Sequence, residues 1–73
     1  MSDKRVVSYH MKRLEDKNAE VRLKAIRELA LLGDSSALDK LQEIFSNDPN
    51  PDVRKAAQEA GRTIFLRQHG EEV

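Results

Sequence analysis

The chain of 73 residues has no cysteine and no tryptophan, one tyrosine, two phenylalanines, three glycines and two prolines. Without cysteine, neither a disulfide framework nor a thiolate zinc site can supplement the core. With so few aromatic residues there is no platform on which successive nucleic-acid bases could stack. No apolar run approaches the ~20 residues of a membrane span, and no signal-peptide h-region follows Met1. A soluble, cytoplasmic protein is therefore expected. Neither sign of charge is in excess, with 13 basic and 13 acidic residues, whereas a dedicated nucleic-acid binder usually carries a clear basic surplus. The fold must therefore hold without disulfides or a thiolate-bound metal. A chain this short buries only roughly 60% of its unfolded surface, and its core rarely supplies more than about 3–5 kcal/mol.

What the chain does contain is a repeat. At an offset of 32, Asp16-Lys17-Asn18-Ala19-Glu20-Val21-Arg22 falls on Asp48-Pro49-Asn50-Pro51-Asp52-Val53-Arg54, and Ala25 falls on Ala57. Asp, Asn, Val and Arg are identical, and the second acid keeps its type. Self-similarity at a period of 20–50 residues is the mark of solenoid architectures. The preceding segments, Val6–Leu14 and Leu38–Phe45, align after a one-residue gap near Asn47, where a loop can absorb it. Charge is unevenly divided: residues 1–33 carry eight Lys/Arg against five acids, and residues 34–73 five against eight. That division is either patterning on a solvated surface or a means of attracting one half to another.

Each half reads as two helices, because apolar residues recur at helical spacing. The stripes are Val7, Met11 and Leu14; Val21, Ala25, Leu29 and Leu32; Leu38, Leu41 and Phe45; and Val53, Ala57, Ala60 and Ile64. The punctuation agrees. Asn18 and Asn50 stand at N-cap positions, Pro51 follows at the first helical position, and Glu20 and Asp52 favour the positive end of the helix dipole. Gly33 suits a left-handed C-terminal residue, and Ser36 with Asp39 resembles a capping box. Helices are expected at about 3–15, 19–32, 37–46 and 51–68. Gly61, inside the last, costs roughly 1 kcal/mol relative to Ala and is expected at a close helix crossing.

Asp48-Pro49-Asn50-Pro51-Asp52-Val53-Arg54-Lys55-Ala56-Ala57 resembles the second-helix signature of HEAT repeats, in particular the short HEAT-like repeats of phycobilisome lyases. Leu29-Ala30-Leu31-Leu32-Gly33-Asp34, followed by Ala37-Leu38, is similar to the Leu-Gly-x-Leu-Gly-Asp junction of that class. The resemblance covers about residues 6–66. It implies an all-α fold: two stacked antiparallel helix–turn–helix repeats, four helices, a short α-solenoid. The chain is then one domain over residues 1–73, with repeat 1 at about 3–33, repeat 2 at about 36–68 and a frayed tail at 69–73. Phe65 stands where the first copy has Gly33, so no third repeat is announced and the last helix is expected to run to about Gly70. Asp16, Arg22, Asp48 and Arg54 match the positions that tie successive HEAT repeats together, a turn carboxylate accepting hydrogen bonds from an Arg on an adjacent inner helix. The other reading leaves Arg22 or Arg54 free for a partner.

Catalytic signals are few. His10 lies beside an apolar stripe, where a packing role is expected, and His69 falls in the tail with Glu71 and Glu72. HEAT-like dinuclear iron hydroxylases use repeated His-Glu pairs, and none occurs here. Ser8 and His10, two apart on a helix, point to different sides. Glu15–Asp16 and Glu71–Glu72 are adjacent carboxylates with nothing to separate their protonation. There is no phosphate-binding glycine loop. No enzyme, cofactor or metal site is expected.

The remaining reading is a non-enzymatic interaction or scaffold module for a protein partner, with self-association as one form of it. Its candidate partner-binding residues are Arg27, Lys55, Arg62, Ile64, Phe65 and Leu66; Ile64, Phe65 and Leu66 run consecutively, more apolar surface than one helix face buries, while Val6, Val7 and Tyr9 lie at the other end. Phe45 and Phe65 are expected in or near the core. Two alternatives stand beside it. The resemblance implies an accessory role in phycobiliprotein assembly, attaching or removing a bilin. The inner helices imply nucleic-acid binding through Arg22, Lys24, Arg27, Arg54, Lys55 and Arg62, although Glu20, Glu28, Asp52 and Glu59 interleave with them.

Overall fold

The computed structural model describes residues 3–69. Four helices follow one another: α1 (Lys4–Arg13), α2 (Ala19–Leu32), α3 (Leu38–Asn47) and α4 (Pro51–Gln68), with a single 3₁₀ turn, Ser35–Ala37, before α3. No strand occurs among the described residues. The chain is all-α, two antiparallel helical hairpins stacked side by side. The second helices, α2 and α4, pack along their length, whereas α1 and α3 barely touch.

The helix starts follow from local chemistry. The side chains of Asp3, Asn18 and Asn50 accept from the backbone N–H groups of Arg5, Glu20 and Asp52 at 2.8, 2.9 and 2.8 Å. Each satisfies a donor that the first helical turn leaves without an internal partner. Pro51 occupies the start of α4. α2 ends at Gly33, whose φ of 69° lies in the left-handed region that disfavours a Cβ. A Cβ there would also come within 3.3 Å of the Arg67 guanidinium.

One cap differs from the sequence expectation. Ser36 and Asp39 form no capping box. Asp34 instead accepts from the Ser36 N–H at 2.8 Å and caps the 3₁₀ turn, because that turn displaces the start of the α-helix to Leu38. Hydrogen bonding from the Ser36 side chain and backbone holds the Asp34 carboxyl below its ordinary range.

The core lies between the hairpins. Val7 and Leu14 of the first hairpin, with Ala25, Ile26 and Leu29, meet Ala37, Leu41 and Ile44, and then Val53, Ala57, Ala60 and Ile64. In α4 the buried residues are the four of the sequence stripe. In α3 Leu41 is buried and Leu38 packs against the core, but the stripe ends on Ile44, which is buried, and not on Phe45, which is exposed. The last helix stops at Gln68, where His69 caps it and lays its ring against Phe65, centroids 4.1 Å apart. Gly70 and the tail beyond it, including Glu71 and Glu72, lie outside the described residues.

Candidate functional site

The turns that precede α2 and α4 carry the repeated Asp, and α2 and α4 each carry the repeated Arg in their first turn. The structure brings Arg22 of the first repeat onto Asp48 of the second. Nε donates to Oδ2 at 2.8 Å and Nη2 to Oδ1 at 3.1 Å, a bidentate fork. Nη1 donates to the carbonyls of Asp16 at 2.8 Å and Lys17 at 3.1 Å, within its own repeat. Both side chains are nearly withdrawn from water, 12% and 6% exposed. Asp48 also accepts from the Asn50 N–H at 2.9 Å, which fixes the turn leading into α4.

The other two members of the set are placed differently. Asp16 accepts from the Asn18 N–H at 2.8 Å, as Asp48 does from Asn50. Among the described residues no basic side chain reaches its carboxylate. Arg54 uses Nη1 on the Asp48 carbonyl at 2.7 Å, as Arg22 does on that of Asp16. Its Nε and Nη2 make no hydrogen bond among the described residues. Thus one Arg–Asp fork is closed at the junction between the repeats, and its two halves recur unmatched at the ends of the stack.

A second constellation occupies the outer side of the α3–α4 hairpin. An open groove of about 450 Å³ runs between the two helices, lined by Leu38, Phe45, Gln58, Gly61, Arg62 and Phe65 among others. Phe45 and Phe65, expected in or near the core, are 38% and 51% exposed. They line a groove to which, among the described residues, only α3 and α4 contribute, and no helix of the first repeat covers them. Gly61 is likewise not at a close crossing: a Cβ built on it would meet nothing within 4 Å. Gly61→Ala is therefore expected to stabilise the chain by about 0.5–1 kcal/mol, read as a higher urea midpoint with an unchanged slope.

Of the consecutive apolar residues in α4, Ile64 is fully buried. It falls in line with Ala57 and Ala60 on the core face and offers nothing to a partner, which removes it from the candidate surface. Leu66 is half-buried and Phe65 alone is broadly exposed. At the other end Val7 is buried, whereas Val6, Tyr9 and Leu31 are exposed. Arg27, Lys55 and Arg62 stand on the surface. Of the six bases on the inner helices, Arg22 is thus consumed by the fork, and Arg54 spends Nη1 on the Asp48 carbonyl.

On the outer layer, Lys40 bridges Glu15 at 2.8 Å and Glu43 at 3.2 Å, linking α3 to the turn after α1. Hydrogen bonds from Lys40 and its charge hold the Glu15 carboxyl below its ordinary range, and the two carboxylates raise the Lys40 ammonium above its own. His10 is half-buried, its ring edge-on to Tyr9 at 5.1 Å and its Nδ1 buried without a hydrogen-bond partner among the described residues. No group of His, Asp or Glu among the described residues is arranged to hold a metal ion, and no helix there is long and apolar enough to cross a membrane.

Sequence signals existed for the fork, in the repeated Asp and Arg. None marked Phe45 as exposed or the groove as open, since those depend on which side of α3 the neighbouring helices occupy. No curated protein and no solved structure matches the chain. The family described as HEAT repeats matches residues 1–61. With two helical hairpins, a shared Asp–Arg register and that match over most of its length, the chain belongs to the HEAT-repeat family.

Proposed function

We propose that the chain is a non-enzymatic interaction module that docks protein through the open α3–α4 edge. The observation that carries this reading is the pair Phe45 and Phe65, both exposed, flanking a groove with glycine at Gly61. Exposed apolar residues grouped on a small domain mark an interface more often than scattered ones do. Large aromatic side chains also contribute disproportionately to binding energy. The family supports the reading, because HEAT repeats generally mediate protein–protein contact. Arg62 and Asp39 at the groove supply the polar rim that fixes orientation.

The test is binding with a matched variant. A protein captured from the host by the wild-type chain, then reconstituted from purified components, is expected to bind at least about tenfold more weakly to Phe45→Ser/Phe65→Ser. Both residues are surface-exposed, so the variant keeps the helical circular dichroism of the wild type. A purified partner that binds both chains equally would move the docking face elsewhere.

A further inference from the structure

The junction inside the chain is a template for a junction between chains. Across the α2–α4 seam, Ile26, Arg27 and Ala30 face Ala56, Glu59, Ala60 and Thr63. The repeat maps α2 onto α4 at an offset of 32. Moving the first set forward by 32 gives Gln58, Glu59 and Arg62 on α4, and moving the second set back by 32 gives Lys24, Arg27, Glu28 and Leu31 on α2; Arg27 and Glu59 also stand at the exposed rim of the existing seam. All of these are exposed. The same shift turns the closed fork Arg22–Asp48 into Arg54 facing Asp16, the two unmatched halves found at opposite ends of the stack.

We infer that the partner at the open α3–α4 edge is a second copy of this chain, stacked head to tail so that its α1–α2 hairpin continues the solenoid. Arg54 of one copy then forks onto Asp16 of the next, with Nε and Nη2 both available and the guanidinium already oriented by the Asp48 carbonyl. Across the seam Arg62 meets Glu28, and Glu59 meets Lys24, each base opposite an acid. Apolar residues occur on both sides of the contact: Phe45 and Phe65 on one copy, Val6, Tyr9 and Leu31 on the other. The residue-1–33 half, with eight bases and five acids, meets the half with five bases and eight acids, so long-range attraction favours the same orientation. The contact is heterologous, joining different surfaces of identical chains. It therefore propagates into a filament or closes into a ring instead of stopping at a symmetric dimer. The inference rests on the docking reading above and names its occupant.

Sedimentation of the 73-residue chain over a concentration series at low salt tests it. The mass of the wild type is expected to rise above the monomer with concentration and to fall back as salt is added. Arg62→Glu and Glu28→Arg change exposed residues with no hydrogen bond or ion pair among the described residues, so both should fold. Each alone places like charges across the seam and is expected to self-associate about tenfold or more weakly. An equimolar mixture of the two restores opposite charges at every junction of an alternating stack, and its mass is expected to recover. Arg54→Ala should weaken association as well. A wild type that stays monomeric at every concentration overturns the inference, and so does association indifferent to both charge reversals. A monomeric wild type that still binds another protein through Phe45 and Phe65 would overturn only this inference. Association lost in the charge reversals but indifferent to Phe45→Ser/Phe65→Ser would keep the second copy and displace the aromatic docking face.

Discussion

Asp48→Ala is expected to leave the chain largely unfolded at 25 °C. The substitution removes the carboxylate that holds both Nε and Nη2 of Arg22, in a place where the Arg22 side chain is only 12% exposed. The guanidinium keeps two carbonyl partners but loses its counter-charge, and the Asn50 N–H loses its acceptor in the same step. Breaking one side of a buried pair costs about 3–5 kcal/mol, chiefly through the charge left behind. A core of this size supplies about the same amount in total. Far-ultraviolet circular dichroism against urea measures it. The expected result is a helical signal largely lost without denaturant, or a midpoint near zero.

Removing both partners tests the cause. Arg22→Met with Asp48→Leu leaves no stranded charge and is expected to recover most of the lost stability, because a buried pair replaced by apolar side chains is often close to neutral. Arg22→Lys should not rescue, since a lysine cannot fork onto both carboxylate oxygens. An Asp48→Ala chain that unfolds at the wild-type midpoint would show that the fork contributes nothing to holding the repeats together.

Ile64→Ala is the second large effect. Ile64 is fully buried, among the largest side chains in the core. Its truncation is expected to cost about 2–5 kcal/mol, the lost transfer energy plus the cavity left between α4 and the helices around it. Phe65→Ala, one residue along and half-exposed, should change stability by only about 0.5 kcal/mol. The pair of urea midpoints therefore separates a structural residue from a surface one inside a single apolar run. Equal losses from the two would mean that Phe65 is packed, and the open edge would no longer be open.

That contrast also shows where sequence reasoning succeeded and where it stopped. The α4 stripe Val53, Ala57, Ala60 and Ile64 is legible because helical spacing is a local property, and the structure buries all four. The caps at Asn18 and Asn50 are legible for the same reason: a side chain and the N–H two residues on need no distant partner. In α3 the same reasoning erred. Leu38, Leu41 and Phe45 form one acceptable stripe and Leu41 with Ile44 another; the two share Leu41, and Ile44 and Phe45 point about 100° apart. Only the packing of α3 on α4, with Leu14 brought beside Ile44, selects the second. Gly61 is equally illegible, because a glycine in a helix looks the same in sequence whether a neighbour presses on it or, as in the structure, nothing lies within 4 Å of an added Cβ.

The amino-acid sequence by itself determined that this protein is a pair of helical hairpins. Apolar period, N-caps, the Pro at the start of α4 and the left-handed Gly33 all act within a few residues of where they stand. The repeated Asp and Arg announced that the hairpins are joined, but not by which pairing. Arg22 has a carbonyl of Asp16 six residues away and the carboxylate of Asp48 26 residues away. Which oxygen meets which nitrogen depends on how one hairpin lies against the other, a choice made by the packing of α2 on α4. The same packing covers Ile64, leaves Phe65 and Phe45 outside, and sets Arg54 and Asp16 at opposite ends with their fork unfilled. Those are relations between distant segments, and only the tertiary structure decides them.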